Sequence, residues 1–346
     1  MEFLNLDEIR TRFGPDGIRD FSPAFGKIGA ITDDTQMTLF TAEGLLRAHV
    51  RGQVKGIGPV FTSVTANAYL RWLTTQGRKP RAPALQGLNE VPDNGWLIQV
   101  PELHDQRAPG LTCLSALEDM PALGAPARNS SKGCGGVMRV APVGLFVHSV
   151  MAANPVLGFK QAFAIATELA GTTHGHPTGQ LTAGVFASIV YSLAAGKSLW
   201  EATGHALCAL QQCPGYEETL NALERAQRVA RSRLPHEQAI RELGEGWVAE
   251  EALAISIYCA LVAKTFEDGV ILAVNHGGDS DSTGSITGNL LGAMFGDAAI
   301  PRRWMAEVEL REVIALVADD LRAFPSWNVG DGAAEDERPW ERYPGF

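Results

Sequence analysis

Apolar residues recur at three- and four-residue spacing along nearly the whole of this chain, and the strict alternation of a half-buried β-strand hardly occurs. The spacing predicts helices over residues 36–49, 60–75, 158–170, 179–195, 198–208, 217–232, 247–264, 284–295 and 304–323. Windows such as ALAISIYCALVAK are apolar on most sides and read as helices buried almost all round. Strand candidates such as residues 96–100 are too few to build a sheet. Two long irregular segments, 77–116 and 119–142, have the length of functional loops. The polar tail 328–346 is expected to lie over the surface. A chain of 346 residues could form two domains at roughly 150 residues each, but no linker divides it. The expectation is one all-α domain over 1–346.

Charge narrows the partners. Lys+Arg 29 against Asp+Glu 39 leaves a net charge of −10, which argues against nucleic acid. An anionic ligand would need backbone N–H groups, a few local cations or bound metal ions. The 5 cysteines contain no C-x-x-C pair, so neither a disulfide framework nor a cysteine zinc site is expected. The start, MEFLNLDEIR, lacks the pattern of a secretory leader, and no apolar run reaches roughly 18 residues. A cytoplasmic protein with no membrane contact is expected.

Two acidic stretches stand out. ITDDTQM places Thr32, Asp33, Asp34 and Thr35 ahead of one apolar helix, and HGGDSDSTG places Asp279, Ser280, Asp281 and Ser282 ahead of another. N-capping accounts for either stretch taken alone. The second, however, opens a nearly uncharged helix, so its carboxylates stand at the edge of a core. Four converging aspartates would repel unless neutralised. Oxygen-only donors suit Mg²⁺, Mn²⁺ or Ca²⁺, and two divalent cations would balance them. Gly284, Gly288, Gly292 and Gly296 recur every four residues and predict the close approach of another helix.

Two further segments carry weaker signals. NSSKGCGGVMR holds Ser131, Lys132, Gly133, Cys134 and Gly135, whose N–H groups could cradle an anion with help from Lys132. It is not a P-loop, and no strand precedes it as a dinucleotide fold requires; a plain turn fits equally well. GTTHGHPTG holds His174, His176 and Gly179, fitting either a ligand contact or a helix-end loop. Cys134 lacks the context of a nucleophilic thiol. Glu250 and Glu251 read as structural ion-pair partners.

These residues together resemble the ADP-ribosylglycohydrolase family, of the dinitrogenase reductase-activating and ADP-ribosylarginine hydrolase type. ITDDTQM is similar to its Thr-Asp-Asp-Thr motif, HGGDSDSTG to its Gly-Gly-Asp-x-Asp-[Thr/Ser] motif, KGCGGVMRVAPVG to its glycine loop and THGHPTG to its Thr-His loop. The resemblance implies an all-α fold with a binuclear centre of two Mg²⁺ ions, or Mn²⁺. It implies Thr32, Asp33, Asp34, Asp279, Asp281 and Ser282 as metal ligands, the four aspartates being the catalytic set. It implies Ser131, Lys132, Gly133, Cys134, Gly135, His174 and Gly179 as contacts to ADP-ribose. The activity implied is water attack at the anomeric carbon, releasing ADP-ribose from a modified protein side chain. Ser282 looks more like the arginine-directed members, so ADP-ribosyl-arginine is the expected substrate and a monomer the expected state. The chain starts just after the usual first family helix, and Glu2 aligns with an acidic catalytic position of some members. Cys134 stands where some members have Asn. Two other readings stay open: a non-catalytic binder of ADP-ribose or of an ADP-ribosyltransferase toxin, and a hydrolase of another ADP-ribosyl linkage.

Overall fold

The computed structural model describes residues 2–88, 95–329 and 337–345. Its α-helices are α1 Leu6–Phe13, α2 Asp33–Lys55, α3 Phe61–Thr75, α4 Leu111–Glu118, α5 Ala141–Met151, α6 Pro155–Gly171, α7 Pro177–Ala194, α8 Leu199–Leu210, α9 Glu217–Ala230, α10 His236–Leu243, α11 Ala249–Val262, α12 Phe266–Val274, α13 Ser280–Phe295, α14 Arg302–Glu307, α15 Arg311–Ala323 and α16 Glu337–Arg342. No β-strand occurs among the described residues, only two isolated bridges. The all-α expectation therefore holds, and residues 97–99 of the strand candidate form a 3₁₀ turn.

Local chemistry sets the helix starts. Asn5 and Glu8 close a capping box on α1, and Ser198 with Glu201 closes another on α8. Pro177 opens α7, where its missing N–H costs nothing, and His176 Nδ1 accepts the N–H of Thr178 at 3.2 Å. The core runs through α7 and α11, whose side chains are buried almost all round, as their apolar composition predicts. Helices α5, α6, α8 and α9 pack around these two, while α2 pairs with α3 and α12 with α13. Gly44 lets α2 lie against α3, since a Cβ there would come within 2.6 Å of the Thr65 Cα.

Three expectations change. The helix over 304–323 is two, α14 and α15, because Leu310 takes a left-handed φ of 56° between them. The glycine stripe of α13 does not bring a helix backbone close: at Gly284 a Cβ would strike the Val274 side chain at 2.7 Å, Gly288 has only ordinary contacts, and Gly292 faces open space. Within the tail 328–346, Tyr343 is buried rather than superficial, stacked on Trp327 and donating to Asp320 at 2.7 Å; residues 330–336 and 346 lie outside the described residues. One 18-residue window, Cys134–Met151, is apolar enough by composition to cross a bilayer, and 61% of it is buried inside the fold. It contains the glycine-loop turn and α5.

Candidate metal centre

The two acidic stretches meet. Asp33 and Asp34 open α2, and Asp279 and Ser280–Ser282 open α13, so elements from opposite ends of the chain turn their N-termini toward one another. Carboxylate oxygens of Asp33, Asp34 and Asp281 lie within 4.8 Å of each other, and so do those of Glu2, Asp279 and Asp281. Asp281 is common to both groups. The Thr32 hydroxyl donates to Asp34 Oδ2 at 3.2 Å, and the Ser282 hydroxyl donates to the same oxygen at 3.5 Å. All six residues expected as metal ligands are therefore in one place, with Glu2 beside them.

Backbone contacts hold this geometry. The Asp33 N–H donates to the Arg107 carbonyl at 3.0 Å, and the Gly110 N–H donates to Asp33 Oδ2 at 3.2 Å. The Asp279 N–H donates to the Glu245 carbonyl at 2.8 Å. That approach requires glycine at 278, where φ is 139° and a Cβ would sit 2.0 Å from the Glu245 oxygen.

Burial and mutual repulsion govern the acidities. Burial, then the Asp281 charge, pushes Asp33 up to about 8 and Asp279 up to about 7. The same two causes raise Glu2 to about 8 and Asp34 well above the usual carboxylate range. Asp34 Oδ1 and Asp281 Oδ1 are buried with no hydrogen-bond partner. Buried, unpartnered carboxylate oxygens beside two hydroxyls form a hard-oxygen donor set, so these residues fit divalent cations of the Mg²⁺ and Mn²⁺ kind.

The glycine loop reaches the cluster through one side chain. Cys134 Sγ lies 2.7 Å from Asp279 Oδ2 and 3.7 Å from the Ser282 hydroxyl. Burial first, then Asp279, raises the thiol well above its usual range, which keeps it protonated and un-nucleophilic. Much of the loop's polarity is used internally. The Ser131 N–H donates to Asn129 Oδ1, the Gly133 N–H to Ser131 Oγ and the Cys134 N–H to the Trp247 carbonyl. The Lys132 ammonium, expected to help hold an anion, bonds Glu218 at 2.8 Å and also Glu250. Glu250 is thus the ion-pair partner it was expected to be.

His174 and Gly179 pack under the loop. A Cβ at Gly135 would meet Cys113 Sγ at 2.7 Å and the His174 ring at 3.3 Å, and one at Gly179 would meet the Lys132 Cα at 3.1 Å. Packing thus favours glycine at 135 and 136, whereas a Cβ at Gly133 would make only ordinary contacts. His174 is buried and its pKa falls to about 3, by burial and then Arg139, so its ring is neutral. Its Nδ1 pairs with the Thr173 hydroxyl at 2.9 Å. His176 is the α7 cap. Sequence reasoning missed Asn129, whose Oδ1 takes the N–H groups of Ser131 and Gly175, each at 3.0 Å, joining the two loops; an Asn in a loop gives no such signal. A cavity of about 240 Å³ borders the cluster at Glu2, Thr32 and Asp281, walled by Phe21, Phe25, Val270, Val274 and Trp304.

Comparison with known proteins adds a family to this geometry. The profile of the ADP-ribosylglycohydrolase family matches residues 1–329. The chain belongs to that family. A protein of Archaeoglobus fulgidus described as uncharacterized is 25% identical over 329 residues, covering 93% of this chain and 90% of that one. The ADP-ribosylarginine hydrolase Tri1 of Serratia proteamaculans is 31% identical over 71 residues, 20% of this chain and 19% of that one. The ADP-ribosyl-[dinitrogen reductase] glycohydrolase of Rhodospirillum rubrum is 39% identical over 64 residues, 16% of this chain and 22% of that one. These two named hydrolases are therefore matched over about a fifth of their own length. A solved structure titled ADP-ribosylglycohydrolase-related protein complex superposes with a TM-score of 0.46 at 24% identity, covering 84% of this chain and 98% of that chain. Family membership makes this ADP-ribosylglycohydrolase an enzyme of the class that removes ADP-ribose.

Proposed function

We propose that the chain is a metal-dependent hydrolase that releases ADP-ribose from modified arginine side chains, acting as a monomer in the cytoplasm. One observation carries the metal-dependent part: five carboxyl groups gather at two helix N-termini, and two of their buried oxygens lack any partner. Thr32, Asp33, Asp34, Asp279, Asp281 and Ser282 would hold two Mg²⁺ ions, or Mn²⁺. Such ions supply Lewis-acid polarisation and cancel four aspartate charges. The reaction proposed is attack of water at the anomeric carbon through an oxocarbenium-like state. Glu2, half-buried where the cavity meets the cluster, is the acid proposed to give a proton to the departing guanidine. Ser131 to Gly135, His174 and Gly179 would bound the ADP-ribose, and the Cys134 contact to Asp279 supports a loop that adjoins the cluster. The arginine preference rests on Ser282 in the second aspartate motif.

The test is turnover of ADP-ribosyl-arginine, ADP-ribosyl-serine and ADP-ribose-1″-phosphate side by side, with ADP-ribose calorimetry alongside. The expected result is Mg²⁺- or Mn²⁺-dependent release from the arginine substrate, abolished by EDTA. Tight ADP-ribose binding with no turnover of any substrate would identify a binder instead. Turnover of the serine or phosphate substrate alone would move the linkage.

A further inference from the structure

Away from the carboxylates, one buried ion pair touches every backbone segment that aims Asp33. Glu309 lies in the break between α14 and α15. Its Oε1 accepts from Lys27 Nζ at 2.6 Å and from Arg107 Nη2 at 2.9 Å, and its Oε2 accepts the Ile31 N–H at 3.0 Å. Its own N–H donates to the Gly29 carbonyl at 2.8 Å. The segment 27–31, which leads directly into Thr32 and Asp33, is thus bound at three points by one residue. Arg107 completes the arrangement from the other side. Its carbonyl takes the Asp33 N–H, and Gly110, three residues on, donates to the Asp33 carboxylate. Its guanidinium is buried, also bonds Asp105, and leaves Nε and Nη1 without partners. A buried guanidinium with so few partners depends on Glu309 to stay in place.

Backbone strain collects at the same spot. Among the described residues, non-glycine residues with positive φ are Phe25 at 52°, Ala108 at 56° and Leu310 at 56°. Ala108 follows Arg107, Leu310 follows Glu309, and the Arg107 guanidinium carbon lies 5.0 Å from the centre of the Phe25 ring. Strained residues persist where surrounding contacts over-determine them, and such contacts gather at sites that need fixed geometry.

We propose that Glu309 and Arg107 are positioning residues for the metal centre: their ion pair fixes the 27–34 segment so that Thr32, Asp33 and Asp34 face Asp281. The proposal rests on the reading of the aspartate cluster as a cation site. Neither residue touches the cluster through its side chain. Both act through the main chain of 29–33, as outer partners of metal ligands do.

The experiment measures Mn²⁺ affinity by calorimetry on the full chain, with thermal melting of the metal-free protein, and needs no substrate. Glu309→Gln removes the charge from the pair and is expected to weaken Mn²⁺ binding on the order of tenfold. Glu43→Gln is the structural control. Glu43 forms an equally buried pair with Arg71 at 2.7 Å, on α2 but remote from the cluster. It should lower the melting temperature and leave Mn²⁺ affinity unchanged. Asp281→Asn tests the underlying reading. If Asp281→Asn binds Mn²⁺ as wild type does, the cation-site reading falls. If Asp281→Asn loses Mn²⁺ while Glu309→Gln keeps it, or Glu43→Gln weakens it equally, the positioning role is overturned and the cation site stands. Should Glu309→Gln fail to fold, Arg107→Lys and Lys27→Met give the same readout. Lys27 is partly exposed, so its loss is mild.

Discussion

Neutralising Asp281 should make the metal-free protein more stable and metal-blind at once. Oxygens of Asp281 lie within 4.8 Å of oxygens of Glu2, Asp33, Asp34 and Asp279. At an effective dielectric near 20, two unit charges at such a distance repel by about 3 kcal/mol. The neighbours relieve part of that by holding protons. Asp33 titrates near 8 against 3.8 ordinarily, Asp279 near 7 against 3.8, and Glu2 near 8 against 4.5. Each folded value lies above the unfolded one. Their stabilising contribution is therefore complete below about pH 4 and is lost as pH rises through 7 to 8. Metal-free wild type should melt progressively lower from pH 5 to pH 8.5. Asp281→Asn should flatten that decline and gain about 1–3 kcal/mol at pH 8.5, several degrees in Tm, with little change at pH 5. Mn²⁺ at a hundred times its Kd should add about 2.7 kcal/mol to wild type and nothing to the variant. Differential scanning calorimetry in EDTA and in Mn²⁺ at both pH values reads all four quantities. A variant that keeps the wild-type Mn²⁺ shift, or melts below wild type in EDTA at pH 8.5, refutes the account of the cluster.

Three further outcomes follow from the same contacts. Gly135→Ala drives a methyl onto Cys113 Sγ and the His174 ring; it should cost about 1–3 kcal/mol and weaken ADP-ribose binding while Mn²⁺ calorimetry stays at wild-type affinity. Lys132→Met strands the buried Glu250 carboxylate; it should cost about 1–3 kcal/mol of stability yet change ADP-ribose affinity little, because that ammonium is already committed to two glutamates. Tyr343→Phe removes the hydroxyl that donates to buried Asp320; a loss of about 1–3 kcal/mol in urea melts would establish that the C-terminal segment is part of the core.

What could be read in the sequence followed from how local the signal was. Helices α2, α3, α6 to α9, α11 and α13 came from periodicity, the shorter α1, α4, α5, α10 and α12 did not, and the four aspartates came from two short motifs at helix starts. The break at Leu310 was invisible because 304–323 keeps a helical period across it; a tertiary bond from Glu309 to Gly29 overrides local propensity. The ion pairs of Lys132 could not be read because Glu218 and Glu250 are far away along the chain, and only the fold brings them to its ammonium. The thiol contact of Cys134 with Asp279 was hidden in the same way. The glycines of the 133–136 loop were read as an anion cradle or a plain turn, and neither reading foresaw that those at 135 and 136 stand against Cys113, Ala170 and His174. Glycine records that something comes close without saying what.

The rival explanation of the acidic stretches, plain N-capping, can be weighed oxygen by oxygen. A capping carboxylate gives an oxygen to an N–H in the first turn of its helix. Asp279 does this, accepting the Ser282 N–H at 3.3 Å. Thr32 stands at the cap of α2, but its hydroxyl turns to Asp34 instead of the helix. Asp33 accepts from Gly110, outside the helix, and Asp34 receives only two hydroxyls on one oxygen. Helix dipoles cannot close the gap either: a charge at a helix N-terminus gains about 0.3–1 kcal/mol, up to about 2 where partly buried, whereas burial and repulsion move Asp33 from 3.8 to about 8. Burial and like-charge repulsion therefore cost this acidic group more than the two helix starts return. Capping accounts for Asp279 alone. Capping leaves the clustering of Asp33, Asp34 and Asp281 unexplained, and the unpartnered oxygens of Asp34 and Asp281 are the atoms on which the proposed cation site rests.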